Sequence, residues 1–374
     1  VGALYAAVIL ILRWNHIGDV AHEIALADRW LRGESLYGTV VPGLGSLWPP
    51  FASVALIPFA LLARLSINVA TAAWSVVGVA CLVASVWLGM RWGTRPALLA
   101  LAAVAMPVQT NFEHHNVNTV LLVLIMAGAV DLRDRRDRRA GIWFGLAAAL
   151  KAFPVVVLVC LALRRRWEAL AAGVAAGAAA TLVPLLRYGP GGAVAEIQQW
   201  LHVGFSPGQW QLATNDQSIR ALATRLGASP GLALALIAIP LVLMVVIALR
   251  KRRAAGELDG IGAATVAAVL AAPLAWVHYY TLAYPAWLAV LSRRSTAAGG
   301  PTTIAAGGDP AIESGPRLPT IVAGWIAAIA TSGLLTAGQG PIRRALLGAS
   351  AYTWGGLLLL GLLATMQPPP QETA

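Results

Sequence analysis

The sequence predicts an all-α, polytopic integral membrane protein of about twelve transmembrane spans, several short or broken, with juxtamembrane helices on its outer face. Three observations carry this prediction. Hydrophobic residues make up 58% of the 374 and charged residues 11%, with a mean hydropathy of +0.72; that composition belongs to chains that bury most of their length in lipid. Arginines interrupt the apolar runs in clusters at the run ends rather than singly. No stretch alternates apolar and polar residues as a half-buried strand does, so no credible strand is expected.

The apolar runs fall at 1–12, 51–63, 67–90, 96–108, 117–130, 141–150, 153–163, 169–186, 230–249, 260–276, 279–292, 320–337 and 346–366. The first is shorter than the ~20 residues a span needs, so its helix is truncated or starts upstream; no cleavable signal pattern is seen. The run 51–63 follows Trp48-Pro49-Pro50 and contains Pro58, and it reads as a juxtamembrane or re-entrant helix. With that one run left out of the count, Arg91, Arg95, Asp131–Arg139, Arg164–Arg166, Arg250–Arg253, Arg293, Arg294 and Arg317 all fall on the cytoplasmic side. The net charge of +11 is therefore assigned to loop retention and not to nucleic acid, which is excluded as a partner. Cys81 and Cys160 lie in apolar runs, so neither a disulfide nor a cysteine metal site is expected. The Ala-, Gly- and Arg-rich usage suggests a bacterial source.

Three divisions follow. Residues 1–294 form a membrane domain, 295–319 a Gly/Pro/Ala/Thr-rich cytoplasmic linker without periodicity, and 320–374 a C-terminal transmembrane hairpin and tail that looks detachable. On the outer face lie Arg13–Pro50, with the amphipathic pattern DVAHEIALADRWLRG, the polar segment Gln109–Thr119, and Arg187–Ser229.

One of the two lysines, Lys151, interrupts the apolar stretch Gly141–Leu163. A charge in mid-bilayer costs about 2.5–3.5 kcal/mol on insertion scales, so it should face a polar cavity. Arginine clusters flank this stretch on both sides, and one straight helix would place them on opposite faces of the membrane. The segment therefore enters and returns, breaking at Lys151-Ala152-Phe153-Pro154, where Pro154 removes a helical hydrogen bond. Broken helices at membrane depth line cavities.

Four further groups carry candidate chemistry. Asp19, after Gly18, is either a general base on an attacking hydroxyl or a helix N-cap. His22, Glu23 and Asp28 read as a solvated helix face. In Asn111-Phe112-Glu113-His114-His115-Asn116, Glu113 and the histidines could bind a metal, could orient phosphate or sugar hydroxyls, or could be a plain hydrophilic loop; their spacing is not that of a zinc hydrolase. In Pro273–Tyr280, Trp276 and the tyrosines suit an interfacial belt, whereas His278 suits a phosphate contact or protonation of a leaving group. Arg220 and Arg225 read as incidental surface charges. Asp19, Glu113 and the histidines show no metal-ligand spacing, so neither a metal nor any other cofactor is assigned.

Taken in order, Gly18-Asp19, Gly33-x-x-x-Tyr37, Trp48-Pro49-Pro50, Lys151-x-x-Pro154, Asn215-x-x-Ser218 and Pro273-x-x-Trp276-x-His278-Tyr279 resemble glycosyltransferase family 87, the polyprenol-phosphate-mannose-dependent mannosyltransferase-like proteins of the GT-C fold. The resemblance covers roughly residues 10–290. Where that family shows Gly-Gln-x-Asn, this chain has His115-Asn116-Val117-Asn118, matching only at the last position. The resemblance implies an inverting transfer of a hexose, mannose by expectation, from a polyprenyl-phosphate donor to a cell-envelope glycolipid or polysaccharide. The enzyme would sit in the plasma membrane with its site on the outer side. Asp19 and His278 would be catalytic, with Asp19 the base and His278, together with Lys151, holding the donor phosphate. Glu113, His115, Asn118, Asn215, Trp276 and Tyr279 would contact substrate. A transporter or flippase of lipid-linked sugars suits a broken helix and an intramembrane cation equally well, but no matching pair of broken segments occurs in two halves. A scaffold that has lost activity is supported only by the altered 115–118 motif.

Overall fold

A computed structural model of the chain describes residues 18–37, 48–205, 213–250, 256–299, 318–332 and 340–366. Among them there is no strand, only an isolated bridge between Asp216 and Trp276. The first apolar run and most of the linker lie outside the described residues. Helix α1 (Asp19–Arg32) is closed by Gly33 in the left-handed region. It packs on α2 (Pro50–Ala55) and α3 (Ile57–Ala63), each with a proline in its first turn, as fits a helix pair lying beside the bundle rather than crossing it.

The long α4 (Ile67–Gly89) leads to α5 (Thr94–Ala103) and α6 (Ala105–Glu113), which are separated by a break at Val104. The polar segment read from Gln109 onward is therefore helical as far as Glu113. Then come α7 (Asn118–Arg133), α8 (Asp137–Leu150), α9 (Val155–Leu163) and α10 (Trp167–Thr181). At Thr181 the chain departs from the expected pattern. Pro184 lies in the break, and α11 (Leu185–Phe205) leaves at 92° to α10, so much of the segment from Arg187 onward is helix. After it follow α12 (Ile219–Arg225), α13 (Pro230–Ala235), α14 (Ala238–Arg250) and α15 (Glu257–Ala271). Where the run 279–292 suggested a span, a 3-10 turn, Val277–Ala283, comes first and α16 (Tyr284–Gly299) after it.

Among the described residues, Ile67–Trp92 and Pro230–Arg250 are each long and apolar enough to cross a membrane, and two bent helix pairs pass the same test jointly. Most other apolar helices are short. Trp87, Leu186, Val242 and Trp325 stand exposed on the outside, an apolar surface suited to lipid.

Arginines flanking several of the apolar helices are paired with carboxylates near the ends of neighbouring helices. Arg91 pairs with Asp134 at 3.2 Å, Arg139 with Asp131 at 3.4 Å, and Arg293 with Asp259. Arg166 meets Asp137 at 3.5 Å and also reaches Glu257, while Arg138 meets Glu168 at 3.5 Å. The start of α8 and the end of α9 are thus neighbours, and the segment does enter and return. With 14 residues at ~1.5 Å each, α8 carries Lys151 about 21 Å from the basic end, beyond the middle of a ~30 Å hydrocarbon core.

Small residues let α8 and α10 approach closely. A Cβ on Gly141 would overlap the carbonyl of Ala169, and one on Gly145 that of Gly173. This spacing of small residues four apart on both helices is a packing device of membrane helices. Nor does the C-terminal pair stand apart. Helices α17 (Leu318–Ser332) and α19 (Ala351–Thr365), joined through α18 (Pro341–Gly348), pack on each other and on the bundle. Trp287 donates to Thr331 at 3.0 Å and Thr353 to the Gln217 carbonyl at 2.8 Å, with Tyr352 fully buried. Helix α16 runs to Gly299 and α17 begins at Leu318, so both ends of the expected linker are helical.

Candidate active site

The loop between α6 and α7 is the frame on which the site is assembled. His115 takes a left-handed conformation, φ 49°, which folds the chain back so that Asn116 N–H reaches the Asn111 carbonyl at 3.0 Å. The Asn111 side chain accepts from both the backbone and the side chain of Asn118, at 3.2 and 3.1 Å. These bonds hold Asn116 with its amide edge-on to two charged groups. Its Nδ2 donates to Asp19 Oδ2 at 2.6 Å, and its Oδ1 accepts from Lys151 Nζ at 3.2 Å.

Asp19 reaches the loop because Gly18 lacks a side chain. A Cβ at Gly18 would overlap the His114 carbonyl, and that same carbonyl accepts the Asp19 N–H at 2.8 Å. As the first residue of α1, Asp19 also suits the positive end of the helix dipole. Gly18 occupies the N-cap position and no side chain caps the helix, so the capping alternative for Asp19 does not describe its place.

Lys151 ends α8 in an extended conformation and is 3% exposed. Its Nζ lies 3.8 Å from the centroid of the Tyr279 ring, with Trp48 and Phe153 at 5.6 and 5.7 Å. Aromatic faces attract a cation without neutralising it. An ammonium has three donors, and among the described residues one of them is used, toward Asn116. Tyr279 stacks on Phe153, with ring centroids 5.3 Å apart and planes at 18°, so the break at Lys151 is held from below. At the edge of Tyr279 stands His278, 5.0 Å between ring centroids. Its Nε2 is 3.9 Å from Asp19 Oδ2 and, among the described residues, has no hydrogen-bond partner. The Asp19 side chain is 43% exposed and that of His278 3%. The arrangement is a solvent-reachable carboxylate at the mouth, with an imidazole and an ammonium behind it.

Asp19, Lys151, His278 and Tyr279 thus share one cluster. The other sequence-selected residues distribute differently. The His115 ring points toward Ser75, its Nδ1 bonding Ser75 Oγ at 2.9 Å, and its carbonyl accepts from Trp74. Asn118 is fully buried and donates to Asn111 and Asn116, bracing the loop that carries Asn116. Trp276 is half-buried and bridges to Asp216. Glu113 accepts from Gln109 at 3.0 Å and, with Asn215, lines a neighbouring cavity. Arg220 and Arg225 are structural ties rather than incidental charges. Arg220 bonds the Pro273 carbonyl and Asp216, and Arg225 bonds Ser350 and the Ala213 carbonyl.

Sequence reasoning missed two members. Asn116 stands in the sequence as part of a polar segment and a departure from a motif, although among the described residues it is the one side chain bonded to both Asp19 and Lys151. Glu23, read as solvated, is 2% exposed, and its Oε2 has no partner among the described residues. It lies one turn after Asp19 on α1, a spacing that could have flagged it. Burial pushes the Glu23 carboxyl well above the usual glutamate range, with Lys151 opposing the shift and Asp19 adding to it. The folded state therefore holds this proton more tightly than the unfolded chain, so the stability it contributes is full at low pH and is lost as pH rises past the ordinary glutamate range. In detergent, the unfolding midpoint should fall over that rise, and Glu23→Gln should flatten the slope. An unchanged slope would contradict the assignment.

Among the described residues, no group of three or more His, Cys, Asp or Glu side chains is placed to hold a metal ion.

The model of glycosyltransferase family 87 matches residues 47–270, more than half of the chain. This chain belongs to glycosyltransferase family 87. It is a membrane glycosyltransferase, and the matched region contains Asn116, Lys151 and most of the bundle. Among curated proteins it is similar to the polyprenol-phosphate-mannose-dependent alpha-(1-2)-phosphatidylinositol mannoside mannosyltransferase of Mycolicibacterium smegmatis, at 28% identity over 75% of this chain and 72% of the relative. The protein of the same description from Mycobacterium tuberculosis is 29% identical over 74% and 72%. Among solved structures, ArnT from Cupriavidus metallidurans bound to undecaprenyl phosphate aligns with 97% of this chain and 76% of its own, at 16% identity and a TM-score of 0.46.

Proposed function

We propose that this family 87 transferase moves a hexose, mannose in the first instance, from a polyprenyl-phosphate sugar to a glycolipid or polysaccharide acceptor on the outer face of the plasma membrane, with inversion. The observation that carries this reading is the chain Asp19–Asn116–Lys151 with His278 Nε2 at 3.9 Å from the same carboxylate. The similarity to two polyprenol-phosphate-mannose-dependent enzymes supports the choice of donor.

The chemistry follows from the charges. The acceptor hydroxyl approaches Asp19 from solvent and its oxygen attacks the anomeric carbon of the donor sugar. Asp19 takes the hydroxyl proton as the new glycosidic bond forms. The bond between the anomeric carbon and the phosphate oxygen breaks on the opposite side, and the polyprenyl phosphate departs with the electron pair. Lys151, buried among aromatic faces, holds that phosphate and its developing charge, a contribution strongest where water is excluded. His278 donates to a phosphate oxygen. A single displacement inverts the anomeric centre. A lipid-borne donor brings its phosphate to the depth at which Lys151 waits.

Asn116 is a positioning residue in this scheme. Asn116→Ala should lower kcat about 10–100-fold, the worth of hydrogen bonds to charged groups, while KM for the donor moves less; an unaltered kcat would remove it from the mechanism. The reading as a whole is tested by incubating purified protein in liposomes with radiolabelled polyprenyl-phosphate-mannose and candidate acceptors. A new labelled glycosidic product is the expected result. Label that crosses the bilayer without forming such a bond would establish a flippase instead.

A further inference from the structure

Beside the catalytic cluster lies a cavity of about 420 Å³ whose walls include Glu113, His114, Asn215, Arg343 and Arg344, and that volume suits a sugar-sized ligand. His114 joins the two regions. Its ring is 5.3 Å from that of His278, and its carbonyl holds the Asp19 N–H at 2.8 Å. The cavity and the catalytic cluster therefore share His114 as a common wall.

The two arginines come from α18, outside the region matched by the family model. Neither guanidinium has a hydrogen-bond or ion-pair partner among the described residues, yet the helix itself is anchored. Gln217 donates to the Leu347 carbonyl at 3.0 Å, and Arg225 donates to Ser350 at 2.6 Å just past the helix end. Two guanidinium groups on an anchored helix, without a partner among the described residues, suit a phosphate, which arginine binds with two parallel hydrogen bonds. Glu113 and Asn215 supply an acceptor and a mixed donor–acceptor for sugar hydroxyls. On the same short helix the apolar side chain of Ile342 is 71% exposed.

Resting on the proposed transferase reading, we infer that this cavity receives the acceptor: the headgroup of an anionic glycolipid, its phosphodiester on Arg343 and Arg344 and its sugar hydroxyls on Glu113 and Asn215. Helix α18 then selects the acceptor together with Glu113 and Asn215, while Lys151 and His278 hold the donor.

The test is direct binding to purified full-length protein in detergent, without donor, so that it reads independently of turnover. The probes are a phosphatidylinositol mannoside, a neutral dialkylglycerol mannoside and inorganic phosphate, applied to wild type and to the double variant Arg343→Gln/Arg344→Gln. Wild type should prefer the anionic over the neutral glycolipid by roughly tenfold or more, and the double variant should lose that preference. Equal binding of both glycolipids by wild type, or a preference surviving in the variant, would overturn the inference. So would inorganic phosphate competing as well as the lipid, which would make this a free-anion site. Thermal unfolding of the variant separates lost binding from lost folding. If the variant fails to fold, Arg344→Lys in its place should keep the charge and weaken the preference; an undiminished preference there also counts against the inference. Absence of transfer from polyprenyl-phosphate-mannose in a protein that still binds the anionic glycolipid would count against the donor assignment and not against this site.

Discussion

Asp19→Asn should reduce turnover about 10²–10⁴-fold, the range a positioned general base contributes, while leaving the protein folded and donor-bound. The substitution is nearly isosteric. Asn116 Nδ2, now 2.6 Å from the carboxylate oxygen, can donate equally to an amide oxygen, and the backbone bond from residue 19 to the His114 carbonyl is untouched. What disappears is an acceptor for the attacking hydroxyl's proton. Initial rates of labelled mannose transfer, with donor affinity measured separately, check this expectation. Full turnover in the variant would show that the base lies elsewhere, and unfolding would show that the carboxylate is structural. Lys151 and His278 remain in place in this variant, so a drop confined to kcat points to proton removal and not to loss of the phosphate pocket.

Gly145→Val should abolish folding into a monodisperse species. The Cβ would be driven into the backbone carbonyl of Gly173, and a backbone atom cannot rotate aside as a side-chain tip can. Overpacking a close-fitted core typically costs about 1–3 kcal/mol and more when backbone must move; here α8 and α10 would have to separate. That pair carries the Lys151 break at one end and the Arg166–Asp137 ion pair at the other. Size-exclusion profiles and thermal unfolding after detergent extraction make the comparison, with Gly191→Ala as the control, since a Cβ there meets nothing within 4 Å. A folded, active Gly145→Val protein would mean that the two helices are held by something other than this contact.

The linear chain determined the helical membrane character, the common side of the arginine clusters and the break at Lys151-Ala152-Phe153-Pro154. Each depends on local composition or on a rule that acts on loops one at a time: apolar run length, positive charge at run ends, and a proline that removes a backbone donor. It also singled out Asp19, Lys151 and His278, because a charge or an imidazole amid apolar sequence is costly and so conspicuous.

Only the folded structure decided how those residues meet. His115 and Asn116 are adjacent polar residues in the same loop, yet one turns to Ser75 and the other ties Asp19 to Lys151. The sign of a single backbone torsion at His115 separates their fates. Glu23 sits on a helix amphipathic enough to look solvated, and it becomes buried because the outer helix lies against the bundle. Arg220 and Arg225, equally plain in sequence, are fastened to carbonyls contributed by distant segments. Arg343 and Arg344 reach the cavity only because α18 is anchored there by Gln217 and Arg225. Side-chain destinations of this kind depend on contacts between elements far apart in sequence. Periodicity and charge along one chain specify which face of a helix is apolar, but not which neighbour covers it or which polar group that neighbour brings.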